Sequence, residues 1–237
     1  MTSLDENTRR YYLDIMGIQC WQQLGDDQSA PPAEQSLENN QLVNDSMDNA
    51  VNWSQLETSI GQCELCSLHK TRNELTSNVS VAGTGNKNSS LMFVVLSPGA
   101  QGVLLSDRAN ALFEKMLAAI NISIDEVYLS SLLKCSVPEN HTISAQEIAS
   151  CRQFLKQQIQ LVQPKQLVVL GDTAVRCLLQ KNLSIDDLRD SCNQSQISIE
   201  DVSLSVSYSP EELLLQPENK RKAWNDLQRL QKIMAAD

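Results

Sequence analysis

Three short apolar runs, spaced by amphipathic stretches, limit this chain more than any other feature: LMFVVL at 91–96, VYLSSLL at 127–133 and QLVVLG at 166–171. Each has the length of a strand, and unbroken apolar character marks a strand covered on both faces. The stretches between them read as helices. DRANALFEKMLAAI (107–120) is amphipathic, and SAQEIASCRQFLKQQIQLV (144–162) opens with Ser144 and Glu147 at capping-box spacing. DTAVRCLLQ (172–180) starts at Asp172 as its expected N-cap, and LSVSY (204–208) is a last strand. Pro217 begins PENKRKAWNDLQRLQKIM, with Trp224, Leu227, Leu230 and Met234 expected on one face. Strand and helix in alternation imply a three-layer α/β/α fold around a central, mainly parallel sheet. At 237 residues and 41% hydrophobic, the chain can build such a core with residues to spare.

The surplus lies at the N-terminus. Residues 7–18 read as a short helix carrying Tyr11, Tyr12, Leu13, Ile15 and Met16, with Gly17 as a stop. From Gly25 to about Ala50 the sequence is Pro-Pro, amides and acids, which is the composition of a flexible linker. The expected organisation is a docking tail (1–24), an acidic linker (25–50) and a folded domain (51–237). The tail either folds back on the body or docks on a partner.

Charge narrows the function classes. The net charge is −10, but the first 50 residues hold nine acidic side chains against Arg9 and Arg10, so the body is near neutral. Gripping DNA through its phosphates calls for a basic excess, and stacking bases calls for aromatics, of which there are ten. Direct DNA binding is therefore expected to be weak or absent. No apolar run approaches the roughly 18 residues that cross a bilayer, and MTSLDENTRRYY lacks the apolar stretch of a secretory signal, so a cytoplasmic protein without membrane contact is expected.

Seven cysteines in a reducing compartment point away from disulfides. Cys63 and Cys66 form CELC in a loop, Cys135 follows a strand, and Cys151 lies within a helix. Four thiolates from such elements can converge on one metal centre. The wide Cys135–Cys151 spacing suits a zinc site poorly and an iron-sulfur cluster better. Buried, inert thiols are the competing explanation.

The stretches CELCSLHKTRN, VAGTGN, LMFVVLSPGAQ, FEKMLAAI, VYLSSLLKCSVPEN, EIASCRQFL, QPKQLVVLGDTAV and LLLQPENKRKAWNDLQ resemble the iron-sulfur family 4 uracil-DNA glycosylases over nearly all of residues 58–231. The resemblance implies the uracil-DNA glycosylase fold and a [4Fe-4S] cluster held by Cys63, Cys66, Cys135 and Cys151. It also implies a damaged catalytic site. The acid of the family's Gly-Glu-Ala-Pro-Gly loop is Leu96 here, within Val95-Leu96-Ser97-Pro98-Gly99. The segment bearing the base-stacking Phe is reduced to GVLLSDR, the uracil-reading Asn corresponds to Ser131, and the His that supports the leaving base corresponds to Ser209. Neither His69 nor His141 stands at that position. A glycosylase must extrude a base, read its edge and stabilise the charge that develops.

The segment Leu13-Asp-Ile-Met16-Gly17-Ile18-Gln-Cys-Trp21 is in turn similar to the tail of the psi subunit of bacterial DNA polymerase III, with its L-x-x-L-G-I-x-x-W pattern; Met16 replaces the second Leu. That resemblance implies a tail docked on the clamp-loader collar (gamma/tau subunits) through Leu13, Met16, Gly17, Ile18 and Trp21. It further implies a body that holds the chi subunit and an indirect link to single-strand-binding protein. The expectation is a non-catalytic, psi-like adaptor. The alternative is a divergent uracil-DNA glycosylase using substitutes such as Ser131, Ser209 or Asp107, and an iron-sulfur protein with a redox or structural role is a third reading.

Overall fold

A computed structural model describes residues 52–74, 82–99, 102–194 and 197–235. The tail and linker, with Leu13, Met16, Gly17, Ile18 and Trp21, lie outside the described residues.

The described chain runs α1 (Trp53–Gly61), α2 (His69–Glu74), β1 (Thr84–Gly85), β2 (Leu91–Val95), α3 (Asp107–Ala118), β3 (Val127–Ser131), α4 (Ala145–Val162), β4 (Gln166–Leu170), α5 (Asp172–Leu179), α6 (Ile185–Gln194), β5 (Ser198–Ile199), β6 (Val202–Ser207), α7 (Pro210–Leu215) and α8 (Lys220–Ala235). The six strands form one sheet in the order β1-β3-β2-β4-β6-β5. The four central strands are parallel, and the two-residue edge strands are antiparallel. All five residues of β2, β3 and β4 are buried, which is why these strands read as continuous apolar runs.

Alternation along β2 divides the core. Met92 and Val94 join α4, α5 and α6 on one face through Leu155, Ile159, Val175 and Leu188. Leu91, Phe93 and Val95 face α3 and α8 through Phe113, Leu117, Leu227 and Leu230. Phe93 and Phe113 meet edge to face, with centroids 5.0 Å apart and planes at 85°. Such a pair contributes about 0.5–1.5 kcal/mol beyond its burial.

Sequence expectations shift at several places, the last strand among them, which runs Val202–Ser207 rather than 204–208. Strand β3 ends at Ser131 rather than Leu133, although Leu132 and Leu133 still donate to the carbonyls of Val95 and Leu96 at 2.8 Å. Helix α5 is capped by Gly171, with Asp172 its first helical residue. Gly171 has φ +99°, a conformation that costs glycine nothing, and the freed Asp172 N–H is met by Glu212 Oε1 at 2.8 Å. In α8 the buried residues are Ala223, Leu227 and Leu230, and Trp224 is 39% exposed. The helix turns Ala223 inward, which carries the adjacent Trp224 toward solvent.

Connections from β2 run to β3 on one side, and the chain returns past β2 to β4 on the other. The C-terminal ends of β2 and β4 are thus a topological switch point, where open α/β sheets place ligands.

Candidate functional site

Two features meet near these strand ends. The first is a crevice of about 720 Å³ whose lining includes Val95, Leu96, Pro98, Gly171, Ser209 and Glu212. Leu96 and Ser209, expected at the altered catalytic positions, therefore share one cavity. Ser131 does not line it. It pairs with Val95 in register and is fully buried, and its Oγ has no hydrogen-bond partner. Among the described residues, the crevice is lined by no His, Asn, Phe, Lys or Arg.

The charged side chains that line it are Asp107, Glu211 and Glu212. Ser209 and Glu212 form a capping box on α7: Ser209 Oγ accepts from Glu212 N at 3.2 Å, and Glu212 Oε2 accepts from Ser209 N at 2.9 Å. Glu212 Oε1 also accepts from Asp172 N at the start of α5, and Glu211 Oε1 accepts from Ser106 N, the cap of α3, at 3.3 Å. Burial pushes both glutamate carboxyls above their ordinary range, and the backbone N–H donors pull them part of the way back. Asp172 additionally pairs with Arg176. The Ser-x-x-Glu spacing at 209–212 is a helix-start signal as clear as the one at 144–147, and it would have located both α7 and Glu212.

The second feature is the cysteine nest. Cys66, Cys135 and Cys151 gather with Leu68, Leu133, Val137 and Ile143 in one apolar cluster. Cys63 packs at the edge of the neighbouring cluster formed by Leu56, Ile60 and Phe154. Three cross-links hold the CELC loop in place. Ser67 Oγ donates to Glu147 Oε1 at 2.7 Å, Thr71 Oγ1 donates to the Ser136 carbonyl at 2.9 Å, and Ser150 Oγ donates to the Leu65 carbonyl at 3.5 Å. Glu147 sits one turn before Cys151 on the same helix face, so one turn of α4 both grips the loop and presents a thiol to it.

Glu147 is 4% exposed and heavily hydrogen-bonded. Burial opposes its charge, but donors from Ser144 N, Ser67 Oγ, His141 Nε2 and Ser144 Oγ outweigh it and bring the carboxyl down to about 2. His141 is thereby committed to Glu147, while His69 Nδ1 lies 2.7 Å from the Cys66 carbonyl. Neither reaches the crevice lining.

The Cys151 thiol is pushed up chiefly by burial. The Lys134 backbone N–H and ammonium favour its thiolate, and the neighbouring sulfurs of Cys66 and Cys63 disfavour it. Both sulfurs thus lie within electrostatic reach of Cys151, and Cys135 shares the apolar cluster of Cys66 and Cys151. Among the described residues, no group of three or more Cys, His, Asp or Glu side chains closes on a single metal ion. A four-iron cube takes one thiolate per iron and spreads its ligands around itself. Three thiols in one apolar cluster and a fourth at the edge of the next, drawn from a loop, a strand end and a helix with an N–H donor aimed at sulfur, suit that group by donor set.

Sequence reasoning missed Lys134, which lies beside the nest. It is 1% exposed, and burial pulls its ammonium down to about 7, against partial support from Cys151. A lysine closing an apolar run immediately before a cysteine was the available signal. Among the described residues no helix is long and apolar enough to cross a membrane.

Comparison with known proteins finds relatives of the chain. The family model described as "Uracil DNA glycosylase superfamily" matches residues 82–228. A type-4 uracil-DNA glycosylase of Pyrobaculum aerophilum is 26% identical over 185 residues, covering 75% of this chain and 92% of that protein. One of Archaeoglobus fulgidus is 25% identical over 179 residues (72% and 87%), and one of Thermotoga maritima is 32% identical over 135 residues (55% and 68%).

Proposed function

This chain belongs to the uracil-DNA glycosylase superfamily, and from that premise we propose that it is a non-catalytic member, a psi-like adaptor of the DNA polymerase III clamp loader. One observation carries the loss of catalysis: the crevice at the switch point is lined by Leu96 and Ser209 and, among the described residues, by no His, Asn, Phe, Lys or Arg. Base excision needs a group that reads the extruded base and a donor that stabilises its departing charge. Removing one such donor costs about 10²–10³ in rate.

Cys63, Cys66, Cys135 and Cys151 would hold a [4Fe-4S] cluster. When bound, the cluster supplies four iron–thiolate bonds that tie the CELC loop to the end of β3 and to α4. The chain's own residues then orient that nest: Glu147 fixes the loop, and the Lys134 N–H steadies Cys151. The partner role rests on the tail pattern from Leu13 to Trp21, which suits an apolar segment docking on the gamma/tau collar, with chi held by the body and single-strand-binding protein reached through it. A short helix of this kind consolidates on binding, which makes its apolar anchors decisive.

The test has two arms. Protein from a glycosylase-deficient host should leave uracil in single- and double-stranded DNA and should bind the collar through residues 11–24. Excision abolished by a substitution in the crevice would overturn the non-catalytic reading. Undiminished collar binding after deletion of residues 1–25 would overturn the docking assignment.

The names of the relatives favour a second reading, a divergent uracil-DNA glycosylase acting in base-excision repair. That reading requires Ser131, Ser209 or Asp107 to act in place of the missing groups, and the excision arm decides it.

A further inference from the structure

We infer that Lys134 is the built-in counter-ion of the cysteine nest, a positioning residue that holds positive charge against an iron-sulfur cluster on Cys63, Cys66, Cys135 and Cys151; the inference rests on the cluster assignment above. A buried lysine is costly unless something compensates its charge. The Lys134 ammonium donates to Ser130 Oγ at 3.0 Å, the Ser131 carbonyl at 2.5 Å and Gln158 Oε1 at 2.6 Å. Three acceptors match the three N–H bonds of an ammonium, whereas a neutral amine has only two to give. The cradle is therefore built for the charged form.

All three acceptors are themselves neutral. Among the described residues Lys134 forms no ion pair with a carboxylate, and its ionisable neighbour is Cys151. Its backbone N–H donates to the same sulfur, and its neighbour in sequence is Cys135. A nest of protonated thiols would leave this cation without compensation. Four thiolates on an iron-sulfur core carry net negative charge, which a cation fixed in a water-excluded pocket offsets.

The cradle is itself anchored. Gln158 Nε2 donates to the Ala82 carbonyl, and Ser130 Oγ lies 2.7 Å from Gln158 Oε1 and 3.3 Å from that same carbonyl. The ammonium is thus pinned between β3 and α4, the two elements that deliver Cys135 and Cys151.

A structural lysine and a counter-ion differ in what they do to the cluster's charge. The test compares wild type with Lys134→Met and with Lys134→Gln, the second keeping polar contacts in the cradle so that lost packing is separated from lost charge. Each is purified anaerobically with its iron content measured first. The midpoint potential is then recorded, together with the drop in Tm when the cluster is stripped by chelation. Removing a nearby cation disfavours adding an electron, so both variants should show a more negative potential. Stripping should destabilise them less than wild type, because only wild type is left with an uncompensated buried charge. Iron-loaded variants with the wild-type potential, or with the same Tm loss on stripping, would overturn the inference alone. A wild-type protein that holds no iron would overturn the cluster assignment, and the counter-ion with it.

Discussion

Replacing Glu147 by Gln perturbs the clamp on the CELC loop while keeping its size. Glu147 accepts from Ser67 Oγ at 2.7 Å, His141 Nε2 at 3.0 Å, Ser144 N at 2.8 Å and Ser144 Oγ at 3.0 Å. Gln retains one acceptor oxygen and turns an NH₂ toward the others. A carboxyl held at about 2 in the folded chain against an ordinary 4.5 sets a ceiling of about 3 kcal/mol on what ionisation contributes to stability at neutral pH. Solvent reaching the exposed His141 edge screens this, so we expect Glu147→Gln to cost about 2 kcal/mol, or roughly 4–8 °C in Tm.

The sign follows from the depressed value. The contribution is fully present above the unfolded value near 4.5 and is lost as pH falls toward 2. Urea unfolding of both proteins at pH 7, 5, 4 and 3 should therefore show the stability difference shrinking, with less than about half left at pH 3. A difference that stays constant from pH 7 to pH 3, or falls below about 0.5 kcal/mol at pH 7, would refute the assignment of Glu147 as an ionised clamp.

Other outcomes follow from named contacts. Arg189 meets Asp226 with Nε–Oδ2 at 2.8 Å and Nη2–Oδ1 at 2.7 Å, both side chains under 10% exposed. Arg189→Met should therefore cost about 3–5 kcal/mol in chemical denaturation, while Arg189→Met with Asp226→Leu should recover most of it; a double variant as unstable as the single would contradict this. Phe113→Ala opens a cavity against Phe93, and its cost should fall at about 3–5 kcal/mol; a loss under about 1 kcal/mol would mean that the site collapses. Cys135→Ala should abolish iron retention, whereas Cys177→Ala should not, as read by metal analysis. Trp21→Ala should weaken collar binding by about 2 kcal/mol or more and leave the Tm of the body unchanged; the reverse pattern would favour a tail packed on its own body.

Much of the central architecture was legible because it is local and periodic. Strands β2 and β4 are buried on both faces and declare themselves as apolar runs, and Ser144 with Glu147 marks the start of α4 to the residue. The edge strands Thr84–Gly85 and Ser198–Ile199 carry too few residues for any alternation to register. Of the candidate site, resemblance singled out four cysteines, three of which share one cluster, and Leu96 and Ser209, which line one crevice. The second duty of Glu147, reaching Ser67 eighty residues away, was not, because a capping spacing says nothing about what else the carboxylate touches. Asp172 was given a cap's role by its place before an apolar run, but the glycine ahead of it takes that role while a glutamate from a distant helix meets its N–H.

Helices α3 and α5 point their N-terminal ends toward the crevice, and such ends attract phosphate through exposed amides and the positive pole of the helix. In this chain both ends are already engaged from within: Asp107 and Asp172 occupy their first turns, and Glu211 and Glu212 take the N–H groups of Ser106 and Asp172. A phosphate entering the crevice would therefore meet carboxyl groups where a free helix end would have offered it N–H donors.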